Sequence, residues 1–352
     1  MELEKLRGKI DRLDSRIICL LNSRARLSVK IGRLKRKNNR SVYSPDREMA
    51  VYDRIAKQNH GPLSEDTLKA VYREIMSGSL ALEKPLRITY MGPPASFSNI
   101  AALKKFGSSV EYIPVNSITE VFAEVEHDRA DYGVVPIENS IEGAVNYTLD
   151  MFTESDLKIC SEISLEISHN LLANCGMERI KRVYSNPQVF GQCRIWLEAN
   201  LPNVELVEVS STTRAAEIAV KERYSAAIAS VLAADCYGLK ILARSIEDSA
   251  HNVTRFLVIG KAESNPTGKD KTSVMLSIKD KIGALHDMLA SFKRYKINLT
   301  KIESRPSKKK AWEYFFFIDM MGHCRDESIK KALAAVKDNC AAVKILGSYP
   351  IA

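Results

Sequence analysis

Several features that would place this sequence in a large protein class are missing from it. No apolar run approaches the roughly 20 residues that a membrane-spanning helix needs. The N-terminus opens with the charged stretch MELEKLRGKI, which does not fit a secretory signal. The seven cysteines are scattered singly, which argues against a disulfide framework and against a CxxC metal site. We therefore expect a cytoplasmic protein with reduced thiols and no membrane partner.

Motifs that bind cofactors are missing as well. The chain has no GxGxxG fingerprint, which disfavours a nicotinamide-dependent dehydrogenase. It has no H-x-x-H pair and no acidic cluster that would suggest a metal site. Any enzyme activity is therefore expected to proceed without a cofactor and without a metal ion.

Charge is distributed unevenly along the 352 residues, whose formal net charge is +9. Residues 1–84 carry +8, residues 85–268 carry −7, and residues 269–352 carry +8. Such asymmetry is typical of separate domains. The basic N-terminal segment is compatible with a solvated helix surface, with a small polyanion as ligand, or with nucleic acid.

The hydrophobic pattern changes twice, and it predicts a multidomain protein. Residues 1–84 show apolar steps of three and four that predict one long helix over 3–34, followed by helices capped by Ser44 and Ser64. This all-α domain leaves a long apolar stripe that an intertwined dimer would bury. Residues 85–265 alternate short strands and helices in two sets, which predicts an α/β domain with two lobes and a ligand cleft between them.

The polar linker ESNPTGKDK precedes a third unit, over residues 271–352. Its strands SVMLSI, INLTKI, WEYFFFIDM and VKILGSYP alternate with helices near 284–294 and 327–338. The order βαββαβ predicts an α+β domain of the ferredoxin-like type.

Cations in the helical region are spaced to bind a small dianion. Arg24 and Lys35 lie eleven residues apart, close to three full turns, and therefore share one face about 16 Å apart. Arg7 lies about 25 Å from Arg24 along the helix and is rotated off that face, so only a partner chain can bring it to the same ligand. This set, with LRGKIDRLD, GRLK, DRE and REIMSGSLALE, resembles the all-helical chorismate mutase family.

The resemblance implies a pericyclic rearrangement of chorismate to prephenate. Such a reaction needs conformational selection and positive charge at the breaking ether oxygen, and no nucleophile. Carried over by position, Arg24, Lys35 and Arg47 would bind the carboxylates and the ether oxygen of the substrate. Glu48 would hold the substrate hydroxyl, and Ser79 would lie near a carboxylate. Arg7 would come from the partner subunit.

Two positions depart from the family pattern. Ser44 stands where some members have Asp, and Glu83 stands where many members carry Gln as a donor to the ether oxygen. A carboxyl group can donate a hydrogen bond only when it is protonated. We therefore expect the mutase activity to favour mildly acidic pH.

Polar clusters at strand ends in the central domain resemble the motifs of prephenate dehydratase. The motifs are GPPASFS, VPIENSIEG, YSNPQVFGQC, VSSTTRAA and TRF, with Asn186 where the family has His. The resemblance implies decarboxylation of prephenate with loss of its ring hydroxyl, giving phenylpyruvate. Hydroxide leaves poorly and needs a proton donor, a role that falls to Thr254, polarised by neighbours such as Arg255. The other implied substrate-binding residues are Ser96, Asn139, Ser185, Gln192, Thr212 and Phe256.

The third unit resembles the ACT regulatory domain through GALHDML and ESRP. The resemblance implies that L-phenylalanine lodges between two such domains and inhibits the enzyme, while a plain dimerisation module is the alternative. Its effect would require different affinities for two quaternary states. The implied contacts are Gly283, Ala284, Leu285, Asn298 and the ESRP residues Glu303, Ser304, Arg305 and Pro306.

The leading hypothesis is a bifunctional enzyme of phenylalanine biosynthesis, a homodimer or homotetramer that binds chorismate, prephenate and L-phenylalanine. An alternative is a monofunctional dehydratase whose helical domain only dimerises. A further alternative is a non-enzymatic amino-acid sensor whose basic helices contact nucleic acid, which the absence of a recognition-helix pair disfavours. We expect no nucleic-acid partner.

Overall fold

The computed structural model describes residues 1–38, 42–249, 251–278, 282–307 and 314–352. Within these residues no helix combines the length and apolarity that crossing a membrane requires. The chain forms a helical domain, a two-lobed α/β domain and a ferredoxin-like domain, as the hydrophobic pattern predicts.

The helical domain is formed by α1 (Glu2–Lys37), α2 (Pro45–Gln58) and α3 (Glu65–Glu83). Pro45 occupies the first position of α2, where its missing N–H costs no hydrogen bond. Helix α1 packs on α3, and a side chain at Gly32 would place its Cβ 2.9 Å from Cβ of Glu83. Glycine at this position therefore allows α3 to approach α1 closely.

Most of the apolar stripe of α1 is exposed in the single chain. Its large aliphatic side chains are 51–66% exposed, and they recur at helical spacing on one face. An apolar surface of this length is unusual on a monomer and is typical of an interface. The exposed residues are Leu3, Leu6, Ile10, Leu13, Ile17, Leu20, Leu27, Ile31 and Leu34.

The first lobe of the α/β domain is built from β1 to β5 and the helices between them. The elements are β1 (Arg87–Met91), α4 (Phe97–Phe106), β2 (Glu111–Val115), α5 (Ile118–Glu126), β3 (Tyr132–Asn139), β4 (Gly143–Ala144), α6 (Asn146–Glu154) and β5 (Lys158–Glu166).

The second lobe carries a sheet of its own. The elements are β6 (Asn170–Ala173), β7 (Arg182–Ser185), α7 (Pro187–Gln192), α8 (Arg194–Asn200), β8 (Glu205–Glu208), α9 (Thr212–Lys221), β9 (Ser225–Ala229), α10 (Val231–Tyr237) and β10 (Lys240–Ala243). The alternation of strands and helices predicts one continuous helix over 188–199, but the chain breaks at Cys193 into α7 and α8.

Strand β11 (Val253–Gly260) returns to the first lobe and completes its sheet, with the order β2-β1-β3-β11-β5. The second sheet has the order β10-β6-β9-β7-β8. The chain therefore crosses between the lobes after β5 and again before β11. Strand β11 is antiparallel to both of its neighbours, and Thr254 lies opposite Asn139 of β3.

The C-terminal domain follows the predicted βαββαβ order. The elements are β12 (Asp270–Ile278), α11 (Ala284–Arg294), β13 (Leu299–Pro306), β14 (Tyr314–Met321), α12 (Glu327–Asn339) and β15 (Cys340–Pro350). The sheet order is β13-β14-β12-β15. A strand was predicted to begin at position 312, but residues 312 and 313 lie outside the described residues.

The C-terminal domain shares an apolar core with the first lobe. Met275, Phe317 and Leu346 belong to the same buried cluster as Ile159 and Leu257 of the first sheet. Burial of this kind is the main source of stability for a domain interface. The two domains are therefore joined by more than the linker.

Candidate active sites

A cavity of about 1120 Å³ lies in the helical domain and contains most of the residues expected to bind chorismate. Arg24 donates from Nη1 to Oγ of Ser79 at 2.6 Å, and partial burial lowers the pKa of Arg24. Lys35 Nζ donates to the carbonyl oxygen of Val42 at 2.5 Å. The predicted residues that line the cavity are Arg24, Lys35, Ser44, Arg47, Glu48, Ser79 and Glu83.

Glu83 is the buried acid of this cavity. The residue is 9% exposed, and its Oε2 accepts no hydrogen bond among the described residues. Burial raises its pKa, and the nearby charges of Lys35 and Arg24 offset part of that shift. The site therefore favours a protonated Glu83 more than water does.

Ser44 differs from its expected capping role. It is the N-cap residue of α2, but its hydroxyl donates to Oδ1 of Asp46 at 2.6 Å and accepts no helix N–H. Arg7 lies outside the cavity lining, in an exposed pair with Glu4 at 2.9 Å. The contribution of Arg7 from a partner subunit stays a prediction, because one chain cannot test it.

The central α/β domain forms part of the wall of this cavity, which the sequence did not predict. Lys105 of α4 lies 2.9 Å from Oε2 of Glu48, and the Tyr43 hydroxyl donates to the same oxygen at 2.9 Å. The side chains of Lys105 and Glu48 are both largely buried. Asn265 also donates to Asp46 at 3.3 Å across the same boundary. The geometry of Glu48 is thus set by two domains.

A hydrogen-bonded network surrounds Thr254 at the junction of the two lobes. Asn139 Nδ2 donates to Oγ1 of Thr254 and to Oδ1 of Asn252, each at 2.8 Å. Asn252 Nδ2 donates in turn to Oε1 of Gln192 at 2.9 Å. The Nε2 atom of Gln192 donates to Glu142 at 3.2 Å. The network thus connects β3 and β11 of the first lobe with α7 of the second lobe.

The orientation of the Asn139 amide determines what the Thr254 hydroxyl can do. The Oδ1 atom of Asn139 accepts the backbone N–H groups of Ile141 and Glu142, at 2.9 and 3.0 Å. The amide nitrogen must therefore face Thr254, whose oxygen accepts its hydrogen bond. The Thr254 proton remains available to a ligand, and the donation from Asn139 makes that proton more acidic.

Three members of the network were not predicted from the sequence. His169 Nε2 lies 2.9 Å from Oε1 of Gln192, and burial lowers the pKa of His169, which favours the neutral ring. Asn252 shares its side of the strand entrance with Thr254, because residues two apart face the same way. That spacing in HNVTRF could have identified Asn252. Glu142 comes shortly after the PIEN motif in the chain, so the motif could have identified it. His169 is a lone histidine that no sequence motif marks.

Several predicted substrate-binding residues have structural contacts in this domain. Ser96 is the N-cap of α4, and its Oγ accepts from the backbone of Asn99 at 3.3 Å. Ser185 is fully buried and donates to the carbonyl oxygen of Ile228 at 3.0 Å. Thr212 begins α9, and Phe256 is 2% exposed within the core of the first lobe. Their roles toward substrate stay predictions.

Arg255 points away from the cleft, which corrects the expectation that it polarises Thr254. Its guanidinium contacts Glu162 and Asp319 at 2.7 and 2.6 Å, and the Tyr349 hydroxyl at 2.9 Å. Burial lowers the pKa of Arg255, but Tyr349, Asp319 and Glu162 outweigh that effect and raise it overall. Asn139, rather than Arg255, is the group that contacts the Thr254 hydroxyl.

The resemblance to the ACT domain implies that ESRP forms a loop after a strand, but the ESRP residues lie within β13. Arg305 faces the first lobe and pairs with Asp150 of α6 at 3.1 Å. Glu303 lies on the same side of the strand as Arg305, whereas Ser304 and Pro306 are exposed. Gly283 precedes α11 with a φ of 77°, a conformation that favours glycine.

The remaining predicted effector contacts surround the start of α11 and of β13. Ala284 is buried and Leu285 is 42% exposed at the start of α11. The carbonyl oxygen of Asn298 accepts the N–H of Met321 at 2.9 Å. Among the described residues, no group of His, Cys, Asp and Glu side chains is arranged to hold a metal ion.

The structure combines a cation-lined cavity in a helical domain, a polar network between two α/β lobes, and a ferredoxin-like domain. This combination is typical of an enzyme with two catalytic domains and a regulatory domain. Family models match each part. Chorismate mutase type II matches residues 6–84, prephenate dehydratase matches 88–264, and the ACT domain matches 272–338.

Relatives match nearly the whole chain. The bifunctional chorismate mutase/prephenate dehydratase of Aquifex aeolicus is 50% identical over 354 residues, covering 99% of this chain and 98% of the relative. That of Stutzerimonas stutzeri is 48% identical over 356 residues, with the same coverage of 99% and 98%. This chain belongs to the family of bifunctional chorismate mutase/prephenate dehydratases with a C-terminal ACT domain.

A solved structure matches about three quarters of the chain. The prephenate dehydratase of Arthrobacter aurescens in complex with L-Phe is 34% identical. It covers 76% of this chain and 90% of its own, with a TM-score of 0.71.

Proposed function

We propose that the 1120 Å³ cavity binds chorismate and converts it to prephenate. Arg24, Lys35 and Arg47 bind the two carboxylates and provide positive charge near the ether oxygen. Charge fixed in a partly buried site stabilises a developing negative charge more than water does. Glu48 accepts a hydrogen bond from the substrate hydroxyl.

Glu83 donates a hydrogen bond to the breaking ether oxygen in its protonated form. Its buried position and raised pKa support this assignment. Ser79 holds Arg24 in place through the 2.6 Å hydrogen bond and lies beside a carboxylate. Ser44 contributes less than a charged residue would, because its hydroxyl is engaged with Asp46.

A second copy of the chain completes this site. The exposed aliphatic stripe of α1 offers a surface for the same helix of a partner. That arrangement would bring Arg7 of the partner subunit to the cavity and would cover Leu3 to Leu34. A homodimer is the smallest assembly that satisfies both requirements, and the ACT domains allow a homotetramer.

We propose that Thr254 is the proton donor of the dehydratase site. The observation that carries this proposal is the hydrogen bond from Asn139 to Thr254, which leaves the hydroxyl proton free to donate. In the reaction, the ring carboxylate leaves as carbon dioxide and its electron pair completes the aromatic ring. The bond from the ring to the hydroxyl breaks, and the departing oxygen takes the proton from Thr254 to form water. Solvent then returns one proton to Thr254.

Gln192 and Asn252 position the substrate and keep the two lobes together during the reaction. They lie in one network with Asn139, so their hydrogen bonds polarise one another. A neutral His169 donates to Gln192 and fixes its amide orientation. Ser96, Ser185, Thr212 and Phe256 support the walls of the cleft.

We propose that L-phenylalanine binds the ACT domain and inhibits the dehydratase. The relative from Arthrobacter aurescens is described in complex with L-Phe, and it covers 76% of this chain. Gly283, Ala284, Leu285 and Asn298 lie at the entrances to α11 and β13, and the ESRP residues form the end of β13.

One assay tests the whole proposal. Purified full-length protein is incubated with chorismate, with and without L-phenylalanine, while chorismate loss and phenylpyruvate formation are followed. The proposal predicts both reactions, with phenylpyruvate formation reduced by phenylalanine. Intact chorismate alongside turnover of added prephenate would indicate a monofunctional dehydratase. No turnover of either substrate would favour a sensor.

A further inference from the structure

A cluster of charged side chains lies beneath the strand pair that carries Thr254 and Asn139. Strands β3 and β11 place Thr254 opposite Asn139, and the next register pair is Arg255 opposite Glu138. Successive residues of a strand face opposite sides of the sheet. Arg255 and Glu138 therefore occupy the side away from the cleft, where their charged groups lie 3.7 Å apart.

The C-terminal domain supplies the partners of both residues. Asp319 of β14 lies 2.6 Å from Nη1 of Arg255, and the Tyr349 hydroxyl of β15 accepts from Nη2 at 2.9 Å. Lys301 of β13 lies 2.9 Å from Glu138, as a charge contact without hydrogen-bond alignment. Three strands of one domain thus contact the two residues that adjoin the catalytic pair.

The cluster is compact and neutral overall, and its members are largely buried except Glu138, whose side chain is 39% exposed. Glu162 of β5 contacts Arg255 at 2.7 Å and Lys271 of β12 at 2.8 Å. The side chains of Arg255, Asp319 and Lys301 are only 10–15% exposed. We call these residues the inter-domain charge cluster, which consists of three cations and three anions: Arg255, Lys271, Lys301, Glu138, Glu162 and Asp319.

The pairing of β11 with β3 is irregular beside Arg255. The register between β11 and β3 shifts between Arg255 and Phe256, which marks a β-bulge or a similar irregularity. Bulges beside active sites change the direction of nearby side chains. A small movement of Arg255 would therefore rotate Thr254 relative to Asn139 without breaking the rest of the sheet.

We propose that the inter-domain charge cluster positions Thr254 and Asn139 for the dehydratase reaction and transmits the state of the C-terminal domain to them. Arg255 is a positioning residue, because it acts through Thr254 and does not touch the cleft. Buried ion pairs contribute little net stability but impose a specific geometry, since any displaced charge loses its compensation. This inference rests on the proposed role of Thr254 in the dehydratase reaction.

The test removes one charge from the C-terminal side of the cluster in the full-length protein. Lys301→Met keeps the length of the side chain, and Asp319→Asn keeps its shape. Lys330→Met is the matched control, because Lys330 belongs to an exposed pair on α12 of the same domain. The measurements are kcat and KM for prephenate, mutase turnover, and amide hydrogen exchange of β3 and β11 with and without L-phenylalanine.

The proposal predicts that Lys301→Met and Asp319→Asn lower dehydratase kcat by about tenfold or more, because misplaced catalytic groups cost rate. We expect KM for prephenate to change less than kcat, mutase turnover to stay the same, and exchange in 132–139 and 253–260 to quicken. Phenylalanine should then alter that exchange less than in the wild type. Lys330→Met should match the wild type throughout.

Unchanged kcat and unchanged strand exchange in both cluster variants would overturn the proposal, even if their melting temperatures fell. That outcome would mean that the cluster only joins the domains. Hydrogen exchange also separates this inference from the proposed function. A wild type without prephenate turnover, but with strand exchange that depends on Lys301, would reject the proposed reaction and keep the structural link.

Discussion

The proposed role of the buried Glu83 carboxyl group as a hydrogen-bond donor predicts how mutase activity depends on pH. Burial raises the pKa of Glu83, so the protonated donor persists to higher pH than it would in water. Above that pKa, a rise of one in pH removes about nine-tenths of the protonated form, so kcat/KM should fall about tenfold. Glu83→Gln supplies an amide donor at every pH, so its kcat/KM for chorismate should not show this fall as pH rises.

The raised pKa of Glu83 also predicts a difference in folding stability. A carboxyl group whose folded-state pKa is raised contributes stability that is fully present below its unfolded pKa and is lost as pH rises through the folded pKa. A folded-state pKa that is higher by one corresponds to a loss of about 1.4 kcal/mol. Glu83→Gln should therefore gain stability relative to the wild type as pH rises from mildly acidic to neutral, as measured by denaturant unfolding. Parallel pH–rate profiles for both proteins, with parallel stability curves, would refute this reasoning.

Three other predictions follow from single contacts. Lys105→Ala should lower mutase kcat/KM by about tenfold through the loss of its pair with Glu48, whereas Lys104→Ala, with a neighbouring cation removed, should not. Asn139→Ala should lower dehydratase kcat by about 10²-fold, comparable to the loss of a transition-state donor, and should leave mutase turnover unchanged. Gly32→Ala should destabilise the protein by about 1–3 kcal/mol through overpacking against α3, whereas Gly8→Ala, with open space around it, should be neutral or stabilising in thermal melts. Equal losses of mutase kcat/KM in Lys104→Ala and Lys105→Ala would contradict the role of the pair between Lys105 and Glu48. Unchanged dehydratase kcat in Asn139→Ala would contradict the role of its hydrogen bond to Thr254. Equal melting temperatures of Gly32→Ala and Gly8→Ala would contradict the close packing at Gly32.

The architecture was predictable from the sequence because each domain has its own periodicity. Apolar steps of three and four predicted α1, and the structure confirms a single helix from Glu2 to Lys37. Alternating strands and helices predicted two lobes, and the two separate sheets confirm them. Local pattern was insufficient where helices end, as the break at Cys193 shows.

The sites were only partly predictable, because side-chain direction depends on strand register. Thr254 and Arg255 are adjacent in one strand and therefore face opposite sides of the sheet, but only the pairing of β11 with β3 shows that Thr254 lies opposite Asn139. Lys105 reaches Glu48 from another domain, so no local motif links the two residues. His169 contacts Gln192 from a distant part of the chain and likewise leaves no trace in the sequence.

Substitution of Thr254 tests the central claim most directly. The assay measures prephenate and chorismate turnover of full-length Thr254→Ala and Thr254→Ser, with prephenate binding measured by calorimetry. The account predicts that Thr254→Ala lowers dehydratase kcat by about 10²-fold or more, because a positioned proton donor is lost, while prephenate still binds and mutase turnover is unchanged. Thr254→Ser, which keeps the hydroxyl, should retain most of the activity. Loss of both activities in Thr254→Ala, or normal dehydratase turnover in that variant, would contradict the account.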